Sequence, residues 1–130
     1  MKGIYVLIIS VGKDTAASIG AFPEMKFDEG LYAYVGSAQI NLEKRVARHL
    51  SRTKRRFWHI DYLLGMDSVS VLKVLQKKGP RSEECKFAKK LDRIGHAIKG
   101  FGSSDCMCKS HLFKLKDYEF LREWMDELAL

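Results

Sequence analysis

The sequence predicts an α+β domain, and three observations carry that prediction. Gly3–Val11, GIYVLIISV, is a nearly continuous apolar and β-branched run, the pattern of a central strand buried on both faces. Residues 31–50, LYAYVGSAQINLEKRVARHL, pass from alternation of Leu31, Ala33 and Val35 with Tyr32 and Tyr34 to a spacing of four at Leu42, Val46 and Leu50. Residues 82–94 and 117–129 each carry an apolar stripe at helical spacing.

Taken in order, the first strand ends at the turn Gly12-Lys13-Asp14. Residues 16–22 return as a short strand, making a hairpin that Pro23 interrupts, and 23–30, PEMKFDEG, read as a connecting loop. The strand over 31–35 is broken by Gly36 and Ser37, and a helix follows over about 39–52. SRTKRR, 51–56, is a dense basic loop holding Arg52, Lys54, Arg55 and Arg56, with Phe57 and Trp58 directly after it. It reads as a solvated loop backed by core aromatics or as a phosphate-gripping patch with an aromatic at its edge. Residues 57–66 form a short helix ending at Gly65, and 68–75, SVSVLKVL, alternate as a half-buried strand before the turn at 77–80. Ser82 caps the next helix, with Glu83 and Glu84 in its first turn, where the helix dipole favours negative charge. Cys85, Ala88 and Leu91 form its buried stripe and Gly95 ends it. Residues 100–108 are a tight loop, 112–115 a last strand, and 117–129 an amphipathic helix with Phe120, Leu121, Trp124, Met125 and Leu128 inward.

A chain of 130 residues with 46% hydrophobic composition fits one domain, residues 1–130, with a real core. The formal net charge of +7 favours a polyanionic partner, because neutralising phosphates releases counterions; such binding weakens steeply with salt. Three cysteines argue against a disulfide framework and for a reducing compartment. No apolar run approaches the roughly 18 residues of a membrane span, and the opening MKGIYVLIIS reads as a core strand rather than a signal peptide. The expectation is a cytoplasmic protein with no membrane partner.

Arg45 and His49, four residues apart, share a helix face beside the apolar stripe, following a tyrosine at a strand end and a glycine. Such a polar cluster beside a core suits an anionic ligand. Cys106, Cys108 and His111, with Cys85 as a fourth, are zinc-type ligands; the C-x-C spacing is not the common knuckle, and ordinary buried thiols near Phe101 and Phe113 are the preferred reading. His59 reads as a satisfied helix histidine, with a role in the site as the alternative, and Gly36 and Ser37 as turn geometry and cap rather than catalysts.

Gly3-Ile4-Tyr5 on the first strand and Tyr34-Val35-Gly36 on a later one resemble the two signature tripeptides of the GIY-YIG nuclease superfamily. The ordered set YVGSA, LEKRVARHL, WHIDYLL, EECKFA and GFGSSDCMCKSHLF is similar to its mostly archaeal DUF123 branch, over residues 3–113. The resemblance implies a small domain with a mainly antiparallel, three-stranded core sheet flanked by helices. It implies metal-dependent phosphodiester hydrolysis, an endonuclease acting on branched or damaged DNA in repair or recombination, with DNA favoured over RNA. A single Mg²⁺ or Mn²⁺ would be held by a helical glutamate, here Glu84 in preference to Glu83. Tyr5 would take the proton from water, with Tyr34 beside it; Arg45 would fork onto two phosphate oxygens, and His49 would orient a tyrosine or water or contact the phosphate. A free phenol has a pKa near ~10, so such a base needs nearby cations or a metal. Two departures stand out: residues 16–30 are inserted between the tripeptides, and Asn41, the chain's one asparagine, does not match the family's late asparagine, for which Asp105 or Ser104 could substitute. The alternatives are a nucleic-acid-binding module of the same fold without catalysis, or a small interaction or metal-binding domain.

Overall fold

The computed structural model describes residues 2–19, 22–51, 58–102 and 108–128, with the side chains of residues 22 and 23 outside that description. The first strand, β1 (Gly3–Val11), is buried along nearly its whole length and lies at the centre of a six-stranded sheet. It is flanked by β4 (Gly30–Ala38) and β5 (Val69–Lys78), both antiparallel to it. β7 (Leu112–Leu115) covers the outer edge of β4, and the two-residue β6 (His96–Ala97) pairs with β7. On the other side β8 (Asp126–Glu127) pairs with Leu75 and Gln76 of β5. The order is therefore β6-β7-β4-β1-β5-β8, with antiparallel pairing throughout. β2 (Thr15–Ile19) and β3 (Phe22–Phe27) form a separate two-stranded hairpin.

This overturns the expected three-stranded core sheet. Three long strands are present, but a sheet of three would leave one edge each of β4 and β5 with unpaired backbone groups. Segments of four and two residues pair with part of those edges, too short to show alternation in the sequence. The expected helix over 117–129 gives way for the same reason. A single 3₁₀ turn spans Glu119–Glu123, and the chain then extends so that Leu128 N–H reaches the carbonyl of Val74 at 2.8 Å. Leu121 and Met125 remain buried, so the apolar spacing is used without a continuous helix. The expected loop over 23–30 is largely strand: Pro23 is tolerated in β3 because this two-stranded ribbon makes few demands on its N–H. Gly36 and Ser37 do not break β4, which runs on to Ala38.

The strand period divides the core. Tyr5, Leu7, Ile9 and Val11 face the hairpin and two helices, α1 (Leu42–Leu50) and α2 (His59–Leu64). Ile4, Val6 and Ile8 face α3 (Ser82–Ile94) through Phe87, Ala88 and Leu91, and the 3₁₀ turn through Leu121. α1 is shorter than expected because Asn41 caps it, its side chain accepting from the Lys44 N–H at 3.0 Å. Ser82 is not a cap: it is the first residue of α3, and Arg81 occupies the position before it. Among the described residues no helix is long and apolar enough to cross a membrane.

Candidate functional site

β1 starts at the end of the sheet where β4 and β5 finish, and α3 begins just beyond β5. That arrangement brings Tyr5, Tyr34 and Gly36 to the same place as Glu84 of α3. An open pocket of about 750 Å³ lies there. Its walls carry Tyr5 of β1, Tyr34 of β4, Arg45 of α1 and Glu84 of α3, together with Trp58, Arg81 and His111.

Tyr5 and Gly36 are register partners across β1 and β4. A Cβ on Gly36 would overlap the ring and hydroxyl of Tyr5, so the glycine makes room for the phenol. Behind the ring, His49 Nε2 lies 2.7 Å from the Tyr5 hydroxyl; His49 is 2% exposed and does not line the open pocket. Burial pushes the Tyr5 phenol above its usual range, against the lowering effect of the neighbouring Arg45 guanidinium. Burial likewise raises Tyr34 well above the ordinary phenol value, with Tyr5, Glu84 and Asp61 adding to the shift. Both are therefore neutral phenols at neutral pH.

Arg45 is held from two sides. Its Nη1 donates to the Ser37 carbonyl at 3.2 Å, and its guanidinium lies 4.6 Å from the centre of the Trp58 ring. Arg48 lies over the same ring at 4.3 Å. Arg48 also forks onto Asp61, both bonds at 3.0 Å, and Asp61 Oδ2 accepts the Trp58 N–H at 2.8 Å. Asp61 is thus a buried anchor that fixes Trp58 and the start of α2. On the opposite wall Glu84 Oε2 stands 3.5 Å from His111 Nδ1. Burial pushes the His111 imidazole below its ordinary value, and the Glu84 carboxylate opposes that shift.

Of the residues expected from the sequence, Tyr5, Tyr34, Arg45 and Glu84 share the pocket, and His49 supports Tyr5 from behind. Ser37 contributes its carbonyl rather than its hydroxyl to Arg45. His59 lies away from the pocket walls: its Nδ1 accepts the Gly102 N–H at 2.9 Å and its ring packs on Phe101. Gly102 takes a φ of +68°, a conformation that favours glycine, beside Tyr34 and His111. Arg52, Lys54, Arg55, Arg56, Ser104, Asp105 and Cys106 lie outside the described residues. Sequence reasoning did not place Arg81, Arg48 or Asp61. Arg48 and Asp61 belong to different helices and no local spacing links them, whereas Arg81, separated only by Ser82 from the helix-start carboxylates Glu83 and Glu84, was a readable signal.

The family model described as "Domain of unknown function DUF123" matches residues 4–129. The chain belongs to the DUF123 family. No curated protein and no solved structure matches it. The DUF123 match spans every described residue of the pocket, so the site is built wholly from the family's own segment.

Proposed function

We propose that this DUF123 chain hydrolyses phosphodiester bonds in DNA with one divalent cation, as the resemblance to GIY-YIG nucleases implies. The observation that carries the reading is the gathering of Tyr5, Tyr34, Arg45 and Glu84, from two strands and two helices, around one open pocket. Chance placement of an isolated tyrosine or arginine would not bring the same four together. The formal charge of +7 is consistent with a polyanionic substrate.

In this reading Arg45, braced by the Ser37 carbonyl and Trp58, forks onto two phosphate oxygens. Arg81 at the mouth adds a second positive charge. Tyr5 does not need to ionise in advance. As its oxygen takes a proton from the attacking water, its own proton passes along the 2.7 Å contact to His49 Nε2. The raised phenol pKa favours this concerted transfer over a standing phenolate. Glu84 fits the cation role as a pocket-wall carboxylate with an oxygen donor suited to Mg²⁺ or Mn²⁺, waters and substrate filling the other positions. When bound, that cation would supply positive charge at the phosphate.

The test is nicking of branched and linear DNA in Mg²⁺ or Mn²⁺, with Arg45→Ala, Glu84→Ala and His49→Gln beside the parent. Arg45→Ala should lose about 10²-fold or more in rate, the scale of removing one preorganised charge donor. Glu84→Ala should abolish the response to the metal. Equal rates in the parent and both alanine variants would overturn the mechanism. Binding by the parent without cleavage would instead establish a non-catalytic nucleic-acid module.

A further inference from the structure

We propose that Cys85, Cys108 and His111 form a binding site for a soft divalent cation of the zinc class, tying the first turns of α3 to the segment that enters β7. Their ligand atoms all lie within 4.8 Å of one another. Ligand bonds of about 2.3 Å to sulfur and about 2.0–2.1 Å to nitrogen place tetrahedral ligands about 3.5–3.8 Å apart. Closing the set around an ion therefore asks for about 1 Å of side-chain movement and no rearrangement of the fold. Two thiolates and a neutral imidazole also balance the charge of a divalent cation.

The scaffold around these ligands is built to hold them. His111 N–H donates to the Phe101 carbonyl at 2.8 Å and its own carbonyl accepts the Val35 N–H at 2.9 Å, so its backbone is fixed on both sides. Cys85 is fixed by α3, whose next turn buries Phe87 and Ala88. Glu84 Oε2 lies 3.5 Å from His111 Nδ1, so an ion held through Nε2 would leave Nδ1 facing a carboxylate, as second-ring nitrogens of metal-bound imidazoles commonly do. Thiolate donors select zinc over magnesium, so this site is distinct in chemistry from a hard cation on Glu84. It does not depend on phosphodiester hydrolysis. Its consequence for the pocket is positional: the cation would pin the helical turn that carries Glu84 and the imidazole beside it.

The sequence pattern weighed against this site, because C-x-C is not the usual knuckle spacing. What changes the balance is Cys85, brought beside Cys108 and His111 by the packing of α3 against the sheet. The test uses the full chain, purified without chelator and measured for metal content. The expected result is about one zinc per chain. Replacement with Co²⁺ should give thiolate charge-transfer absorption in the near ultraviolet and visible bands of a tetrahedral ion. Cys85→Ser and Cys108→Ser should each weaken Zn²⁺ binding about 100-fold or more, with circular dichroism unchanged in both the metal-loaded and metal-stripped forms. Should either variant fail to fold, the Co²⁺ spectrum of the parent decides alone, through the number of thiolates it reports. A metal-free parent that gives no thiolate-to-Co²⁺ band, or a Cys85–Cys108 disulfide in the reduced-purified chain, would overturn the proposal. None of these readouts needs nuclease activity, so failure here and failure of the functional reading are separable.

Discussion

Gly36 illustrates what a single position contributes. Its sequence context reads as a strand-breaking turn, yet it lies within β4, opposite Tyr5. Its value is the missing Cβ, which would occupy the space of the Tyr5 ring. Gly36→Ala should therefore push the ring off His49 or shift β4. The expected cost is about 1–3 kcal/mol, the range for overfilling a packed core, seen as a lower urea midpoint at unchanged slope. If cleavage occurs, it should fall by more than the stability loss predicts, because the Tyr5–His49 contact is spoiled. A variant as stable as the parent would mean that the ring has room elsewhere. The tripeptide singles out the position, but the reason for the glycine is a cross-strand contact that no local pattern encodes.

Among elements, α1 and α2 act as a clamp. Leu42 and Val46 seat α1 on the sheet, and Ile60, Leu63 and Leu64 seat α2. The Arg48–Asp61 fork joins them, and Trp58 lies beneath both arginines. Asp61 is fully buried at its side chain whereas Arg48 keeps partial exposure. Arg48→Ala would leave the carboxylate with the Trp58 N–H among its named donors, at a cost of about 3 kcal/mol, the low end for orphaning a buried charge. Equilibrium urea unfolding measures it. A change below about 1 kcal/mol, typical of surface pairs, would mean that water reaches Asp61 freely. β1 and α3 were read at their observed bounds, and Gly65 ends α2 as expected. The C-terminal segment was not legible as strand. Phe120, Leu121, Trp124 and Met125 satisfy a helical spacing equally well as a 3₁₀ turn followed by extended chain, and only the open edge of β5 decides between them.

At the level of the whole molecule, the sheet ties the site to the core. Tyr5, Tyr34, Arg45 and Glu84 were read together from the sequence only through the family resemblance, and they line one pocket. Trp58 and His111 join them through register and helix placement, which a linear pattern cannot express. The same construction places three of the chain's five tyrosines, Tyr5, Tyr32 and Tyr34, in one buried cluster on the side of the sheet that packs against α1 and α2. Burial raises all three phenols, Tyr32 to about 12 with the Asp28 carboxylate adding to the shift. The linkage has a definite sign. Above pH ~10 the unfolded chain releases these protons while the folded chain retains them, so the unfolded state is favoured as pH rises. Stability from the neutral phenols is complete below pH ~10 and is lost progressively through pH 12. Thermal unfolding should therefore move to lower temperature between pH 9 and pH 11.5, in step with the slow phase of tyrosinate absorbance. Tyr34→Phe, which removes one such proton while keeping the ring, should flatten that decline. Rapid ionisation of Tyr5, Tyr32 and Tyr34 near pH ~10 with the fold intact would show instead that this cluster is open enough to hydrate its phenols.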